Sequence, residues 1–116
     1  MAKDLKEEFI QQALRYIEGI QKGPLSRSHA AHKKLRKICK LQCESEDKGH
    51  KFFSGLITHV EPAVRLWAAS YLYLSDPARA TAEFQALEKL GVSHISAFAL
   101  GYCWRIEEGS FQIAFD

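Results

Sequence analysis

Apolar residues recur along this chain at intervals of three and four positions, which places them on one face of an α-helix. The clearest such stretch runs from Pro62 to Leu74. A proline suits the first turn of a helix, because its missing N–H would have no partner there in any case. The apolar face that follows is broad, and it consists of Val64, Trp67, Ala68, Tyr71 and Leu72. We predict that the rest of the chain packs around this helix.

The same periodicity predicts five further helices. They run from Asp4 to Gln21, from Ser26 or Ser28 to Glu44, from about Glu46 to before Val60, from Pro77 to Leu90, and from after Ser93 or Ser96 to Glu108. Asp4 and Asp76 are good N-cap residues for the helix that runs to Gln21 and for the one that begins at Pro77. Gly49 and Gly55 weaken the third helix, because glycine costs about 1 kcal/mol relative to alanine in a helix interior.

The last helix carries apolar residues around most of its circumference. Its stripe consists of Ile95, Phe98, Ala99, Tyr102, Cys103 and Ile106, and Leu100 and Trp104 extend it. This breadth predicts that the helix packs on more than one neighbour and that Trp104 contributes to the core. Residues 110–116 alternate apolar and polar side chains, and we expect them to form a short extended segment folded back on the helices.

Six helices joined by short loops predict an all-α fold in a single domain over residues 1–116. The third and fourth helices and the fifth and sixth resemble two repeat units. One repeat cannot bury its apolar face alone, so the first pair of helices would complete the stack. We therefore expect a short right-handed α-solenoid of stacked antiparallel helix pairs, with a compact orthogonal bundle as the alternative.

Composition places the chain among ordinary globular proteins, at 47% hydrophobic and 26% charged residues. No apolar run is long enough to cross a bilayer, and the N-terminus lacks the apolar segment of a signal peptide. These features predict a cytoplasmic protein without membrane contact. The cysteines are Cys39, Cys43 and Cys103, and their odd number argues against a disulfide framework.

Charge is distributed unevenly along the chain. Residues 26–43 contain no acid and six basic residues, namely Arg27, Lys33, Lys34, Arg36, Lys37 and Lys40. The C-terminal half is mildly acidic, and its candidate contact residues are Glu83, Glu88, Glu107 and Glu108. Such asymmetry bears on the choice of partner and on the rate of association, not on the fold.

Catalytic and metal-binding motifs are not evident. The sequence has no nucleophile elbow, no phosphate-binding glycine loop and no His-Glu-x-x-His motif, so we expect neither an enzyme nor a cofactor. His29, His32, Cys39 and Cys43 share the second helix, but the first and last would lie about 21 Å apart at 1.5 Å per residue. They therefore cannot bind one ion together, although Cys39 and Cys43 with a distant His50 or His59 remain an alternative.

The second half of the chain resembles a known family. The motifs that carry the resemblance are Pro62, Asp76-Pro77-Ala78-Arg79-Ala80, Leu87-Glu88-Lys89-Leu90-Gly91, Leu100, Trp104 and Gly109. Over roughly residues 50–109 they are similar to a small bacterial domain family of HEAT-like α-solenoids without assigned function. The resemblance implies a protein-binding module in a bacterial cytoplasm, and its best candidate role is an immunity protein that neutralises a cognate toxin.

Two kinds of partner are compatible with the charges. A toxin with an acidic or mixed surface would suit the basic helix at residues 26–43, whereas a basic nuclease toxin would need the four glutamates of the C-terminal half. The alternative function is nucleic-acid binding through that same basic helix, which would be salt-sensitive and independent of sequence. No aromatic residue lies between Leu25 and Lys51 to stack on bases, which weakens a claim for single strands.

Overall fold

The computed structural model describes residues 4–113. Within this range the chain forms six α-helices and no strand, so the predicted all-α class is confirmed. The helices are α1 (Leu5–Lys22), α2 (Leu25–Cys43), α3 (His50–Leu56), α4 (Pro62–Leu72), α5 (Pro77–Lys89) and α6 (Ile95–Glu108). None of these helices is both long and apolar enough to cross a lipid bilayer.

Side-chain caps start α1 and α5 where the sequence predicts them. The Asp4 carboxylate accepts a hydrogen bond of 3.0 Å from the Lys6 N–H. The Asp76 carboxylate accepts one of 3.1 Å from the Arg79 N–H. Each carboxylate thus satisfies a backbone donor that the first turn of a helix leaves unpaired. Gly109 ends α6 with a φ of 78°, a conformation that glycine adopts without steric cost.

Helix α3 is much shorter than predicted, because a polar loop replaces its first turn. Gly49 has a φ of 77° and lies at the N-cap position of α3. Before it, the Asp47 carboxylate accepts hydrogen bonds from the backbone N–H groups of Gly49 and Lys51, both at 3.0 Å. An aspartate that binds the backbone two residues ahead favours a turn over a helix.

Helix α4 is the centre of the packing, as its broad apolar face predicts. It contacts α1, α3, α5 and α6. Eight of its residues are buried, namely Ala63, Val64, Leu66, Trp67, Ala68, Ala69, Tyr71 and Leu72. Around it, α1 packs on α2 and α5 packs on α6. The radius of gyration is 13.4 Å, which indicates a compact molecule.

Arg65 links α4 to α5. Its Nε lies 2.6 Å from Oε1 of Glu83, and the two side chains are only 21% and 15% exposed. An arginine at this position could be either a site residue or a structural bridge between helices. Because its charge is already paired with Glu83, we assign it the structural role.

The segment after α6 folds back on the helices. The Phe111 ring lies 4.8 Å from the Tyr73 ring and 5.6 Å from the Tyr102 ring, measured between centroids. The predicted contact with the body is therefore confirmed for residues 110–113. The remainder of that prediction, over residues 114–116, lies outside the described residues.

Candidate functional site

Lysines form the solvent face of α2. Lys33, Lys34, Lys37 and Lys40 are all exposed. None of these four forms an ion pair with another residue of the described range, so their charges are available to a partner. Leu41 follows them on the same helix and is 58% exposed. We call these four lysines the lysine face.

Two basic residues predicted on this helix do not belong to the lysine face. Arg27 forms an ion pair with Glu18 of α1. Arg36 is only partly exposed and lines a pocket instead. Arg36 lies four positions, or about one helical turn, after His32. Both side chains therefore lie on the same side of α2, which explains why Arg36 is separate from the lysine face.

The four predicted glutamates divide into two groups. Glu83 is held by Arg65 and is not available to a partner. Glu88 and Glu107 both lie close enough to Cys103 to raise the pKa of its thiol, although burial raises it more. Glu107 and Glu108 are exposed at the end of α6. The Ser96 hydroxyl donates a hydrogen bond of 2.7 Å to the Leu87 carbonyl, so the end of α5 adjoins the start of α6 and not its acidic end.

Trp104 is the main departure from the predicted core. Its side chain is 60% exposed, whereas the sequence interpretation placed it among the core aromatics. The buried residues of α6 are Ile95, Ala99 and Cys103. At 100° per residue, Trp104 falls on the opposite side of the helix from Ile95, so a strict count of phase would have found it. We call Trp104, Glu107 and Glu108 the tryptophan patch.

A pocket of about 180 Å³ lies between α1, α2, α4, α6 and the segment that follows α6. Helix α2 contributes His32 and Arg36, and α6 contributes Arg105. Aromatic and apolar walls come from several elements, and they are formed by Tyr16, Leu66, Trp67, Tyr71, Phe98, Tyr102, Phe111 and Ile113. Ser70 and Gln112 complete the lining. Residues that are far apart in the sequence lie together in this pocket, so no short sequence motif could have indicated it.

The aromatic walls are ordered by mutual packing. The Tyr16 and Trp67 rings meet edge to face, with centroids 5.2 Å apart and an interplanar angle of 89°. Trp67 and Tyr71 lie nearly parallel, with centroids 6.2 Å apart and an angle of 7°. His32 packs 5.3 Å from the Trp67 ring. Such contacts fix ring orientation, so the pocket keeps its shape without a ligand.

Positive charge dominates the pocket. Arg36 and Arg105 line it, and no aspartate or glutamate of the described chain does. Burial lowers the pKa of His32, and the nearby Arg36 and His29 lower it further, so this ring is neutral at pH 7. The Nε atom of Arg36 is buried and has no hydrogen-bond partner. A buried donor without a partner makes it costly to hold the Arg36 side chain in this position.

The cysteines and histidines do not form a metal site within residues 4–113. No group of three or more metal-ligating side chains converges there. Cys39 is buried and Cys43 half-buried on the inner side of α2. His50 instead lies 3.0 Å from the Ser75 hydroxyl, and His59 accepts a hydrogen bond from the Glu61 N–H. The candidate histidines therefore have other hydrogen-bond partners.

The native thiols are expected to react slowly. Burial raises the pKa of Cys43 to about 11 and raises that of Cys39 still further, while the pKa of Cys103 is also raised. Because the thiolate is the reactive form, labelling of Cys43 by a disulfide reagent at pH 8 should be roughly a hundredfold slower in the native than in the unfolded protein. Absorbance-monitored labelling in buffer and in urea measures this ratio. Labelling rates for all three thiols that are equal in buffer and in urea would contradict the burial of these side chains.

The packing of α4 among its neighbours defines the protein as an all-α domain of six helices over the described range. A solved structure with this fold is the crystal structure of the protein RPA1889 from Rhodopseudomonas palustris CGA009, with a TM-score of 0.87. The two chains are 16% identical, and the match covers 94% of this chain and 90% of the other. At this identity the likeness shows the fold alone. No family model and no curated protein matches the sequence.

Proposed function

We propose that this protein is a non-enzymatic binding module that recognises a basic protein partner through the tryptophan patch. The observation that carries the proposal is the 60% exposure of Trp104. A tryptophan left in water on the solvent side of a helix adds nothing to the core. Tryptophan is the residue type most enriched at the energetic centres of protein interfaces, where its large ring fills a pocket on the partner.

The charges around Trp104 indicate what kind of partner fits. Glu107 and Glu108 lie three and four positions further along α6, which is the neighbouring turn on the same side of the helix. Neither Glu107 nor Glu108 forms an ion pair with a residue of the described chain. Basic residues on the partner would therefore contact the carboxylates of Glu107 and Glu108 while an apolar part of the partner packs on Trp104.

A toxin domain with a basic surface, such as a nuclease, is the partner class we favour. The resemblance of residues 50–109 to HEAT-like domains supports an immunity protein. The carboxylates of the tryptophan patch suit the basic surface of a nuclease. Helices adjacent in the sequence pack on each other, α3 on α4 and α5 on α6. This packing supports a short HEAT-like solenoid. In such a stack the outer helix faces are left free to bind proteins. The binding site would act in the cytoplasm.

Nucleic-acid binding is the second candidate, and the lysine face favours it. Four exposed lysines without ion pairs in the described part of the chain can neutralise phosphates. Each phosphate contact releases a counterion, so the affinity would fall steeply with salt. The exposed Leu41 on the same helix offers nothing to a phosphate backbone, which is one reason to rank this function second.

The test is capture from a lysate of the native cell by the tagged protein, followed by measurement of affinity for the purified captured protein. We expect one stoichiometric protein that survives nuclease and high salt. Trp104→Ala should weaken its binding roughly thirtyfold, because hot-spot residues contribute 2 kcal/mol or more. Calorimetric titration of both variants with the purified partner gives the ratio.

Leu25→Ala is the matched control, since Leu25 is also 60% exposed but lies at the start of α2. We expect this variant to bind like the wild type. A double replacement of Lys33 and Lys37 by glutamate should also leave the complex intact. Recovery of nucleic acid that is lost in high salt and with that double variant would reject the tryptophan patch as the site and assign the function to the lysine face.

A further inference from the structure

The pocket of Arg36 is a second site, distinct from the tryptophan patch. We propose that it binds a small aromatic carboxylate, with the carboxylate on Arg36 and Arg105 and the ring between the aromatic walls. This ligand site does not depend on the protein partner proposed above. It follows from the size of the pocket, from its charge and from the packing of its walls.

Size limits the ligand to a single ring with a short substituent. The pocket measures about 180 Å³. An apolar cavity of about 150 Å³ in a protein core accommodates benzene, so the remaining space allows a carboxyl group. A nucleotide, which joins a base, a sugar and a phosphate, exceeds this volume. Inorganic phosphate is small enough but leaves the aromatic walls without a partner.

Charge selects an anion. Arg36 and Arg105 come from different helices and line the same pocket, where no acidic residue of the described chain offsets them. The Arg36 Nε is buried without a hydrogen-bond partner, while the whole side chain is only partly exposed. A guanidinium presents paired N–H groups that match the two oxygens of a carboxylate. A bound carboxylate would instead pair with the guanidinium charges of Arg36 and Arg105, which line the pocket.

The walls select a flat, apolar body. Trp67 and Tyr71 line the pocket, and their rings lie nearly parallel, at an interplanar angle of 7°. Tyr16 meets Trp67 edge to face. Tyr102 belongs to α6 and lines the same pocket as Arg105. An aromatic ring gains more from such a surface than an aliphatic chain does, because offset and edge-to-face contacts add to area burial.

Binding of benzoate, followed by amide chemical shifts and calorimetry, tests the proposal. Benzamide, its neutral isostere, should bind at least tenfold more weakly, and inorganic phosphate should not compete. Arg36→Met keeps the packing of the side-chain stem but removes the charge, and it should weaken benzoate binding about tenfold to a hundredfold, as expected for a charge-assisted hydrogen bond. Lys37→Met, at the next position on the lysine face, should bind benzoate like the wild type.

Arg105→Met is the second variant, because Arg105 is exposed and its replacement leaves the core intact. It should also weaken benzoate binding. No measurable benzoate binding to the wild type would overturn the proposal. So would equal affinity for benzamide, unchanged binding by folded Arg36→Met and Arg105→Met, or shifts confined to Lys33, Lys37 and Lys40.

Discussion

Replacing Phe53 by alanine is expected to lower the free energy of unfolding by about 3–5 kcal/mol, because it leaves a cavity in the centre of the core. Phe53 is fully buried, and its ring packs on Phe9 of α1 and Tyr71 of α4, with centroids 6.2 Å and 5.8 Å away. It thus joins three helices. Helix α3 is only 7 residues long, and Phe53 is one of its two buried residues.

Urea denaturation followed by circular dichroism measures this loss. A domain of this size should also show a decrease in Tm of about 10–20 °C. Val60→Ala is the control, since Val60 is 86% exposed and its truncation should change stability by no more than about 0.5 kcal/mol. A loss below about 1 kcal/mol for Phe53→Ala would mean that α3 is not packed as described.

Gly19→Ala is expected to destabilise the protein by about 1–3 kcal/mol, although alanine is the better helix former. Gly19 lies where α1 crosses the start of α2. A Cβ atom added there would lie 2.6 Å from the Ser28 backbone nitrogen and 2.8 Å from the Ser28 Cβ. These distances are too short for non-bonded atoms, and backbone atoms cannot move aside as a flexible side chain can. The two helices would have to separate.

Gly101→Ala is the matched control for this substitution. Gly101 also lies within a helix, but a Cβ atom there would meet no other atom within 4 Å. Alanine should therefore stabilise the protein by about 0.5–1 kcal/mol through its helix propensity. Opposite signs for the two substitutions in thermal unfolding would support the close approach of α1 and α2, whereas two stabilising substitutions would contradict it.

The sequence predicted the helices well because their signals are local. Pro62, Asp76 and Gly109 determine helix ends through the conformations and hydrogen bonds of their own backbone neighbourhoods. Helix α3 was predicted too long because the periodicity of Phe52, Phe53 and Leu56 does not reveal where the Asp47 turn ends. A local hydrogen bond of a side chain to the backbone competes with helix formation, and composition alone cannot tell which wins.

The candidate sites were harder to predict, because they depend on which side of each helix faces the body. The lysine face could be predicted, since adjacent lysines rarely face a core. Trp104 was misassigned because an apolar helix was assumed to be covered on all sides. Arg36 was grouped with the lysines although its neighbour His32 indicates a different flank. The pocket joins Tyr16 to Tyr102, and only the fold brings residues so far apart in sequence together.

Site-specific photocrosslinking determines whether the protein binds a partner through the tryptophan patch. A photoreactive residue is placed at position 104 or, for comparison, at position 37, and the tagged protein is irradiated in nuclease-treated lysate of the native cell. We expect a protein adduct from position 104 only. Its purified target should bind the wild-type protein one to one, and at least tenfold more weakly after charge reversal of Glu107 and Glu108. Absence of an adduct at position 104 would contradict binding through the tryptophan patch. So would a target whose affinity is unchanged by the charge reversal of Glu107 and Glu108.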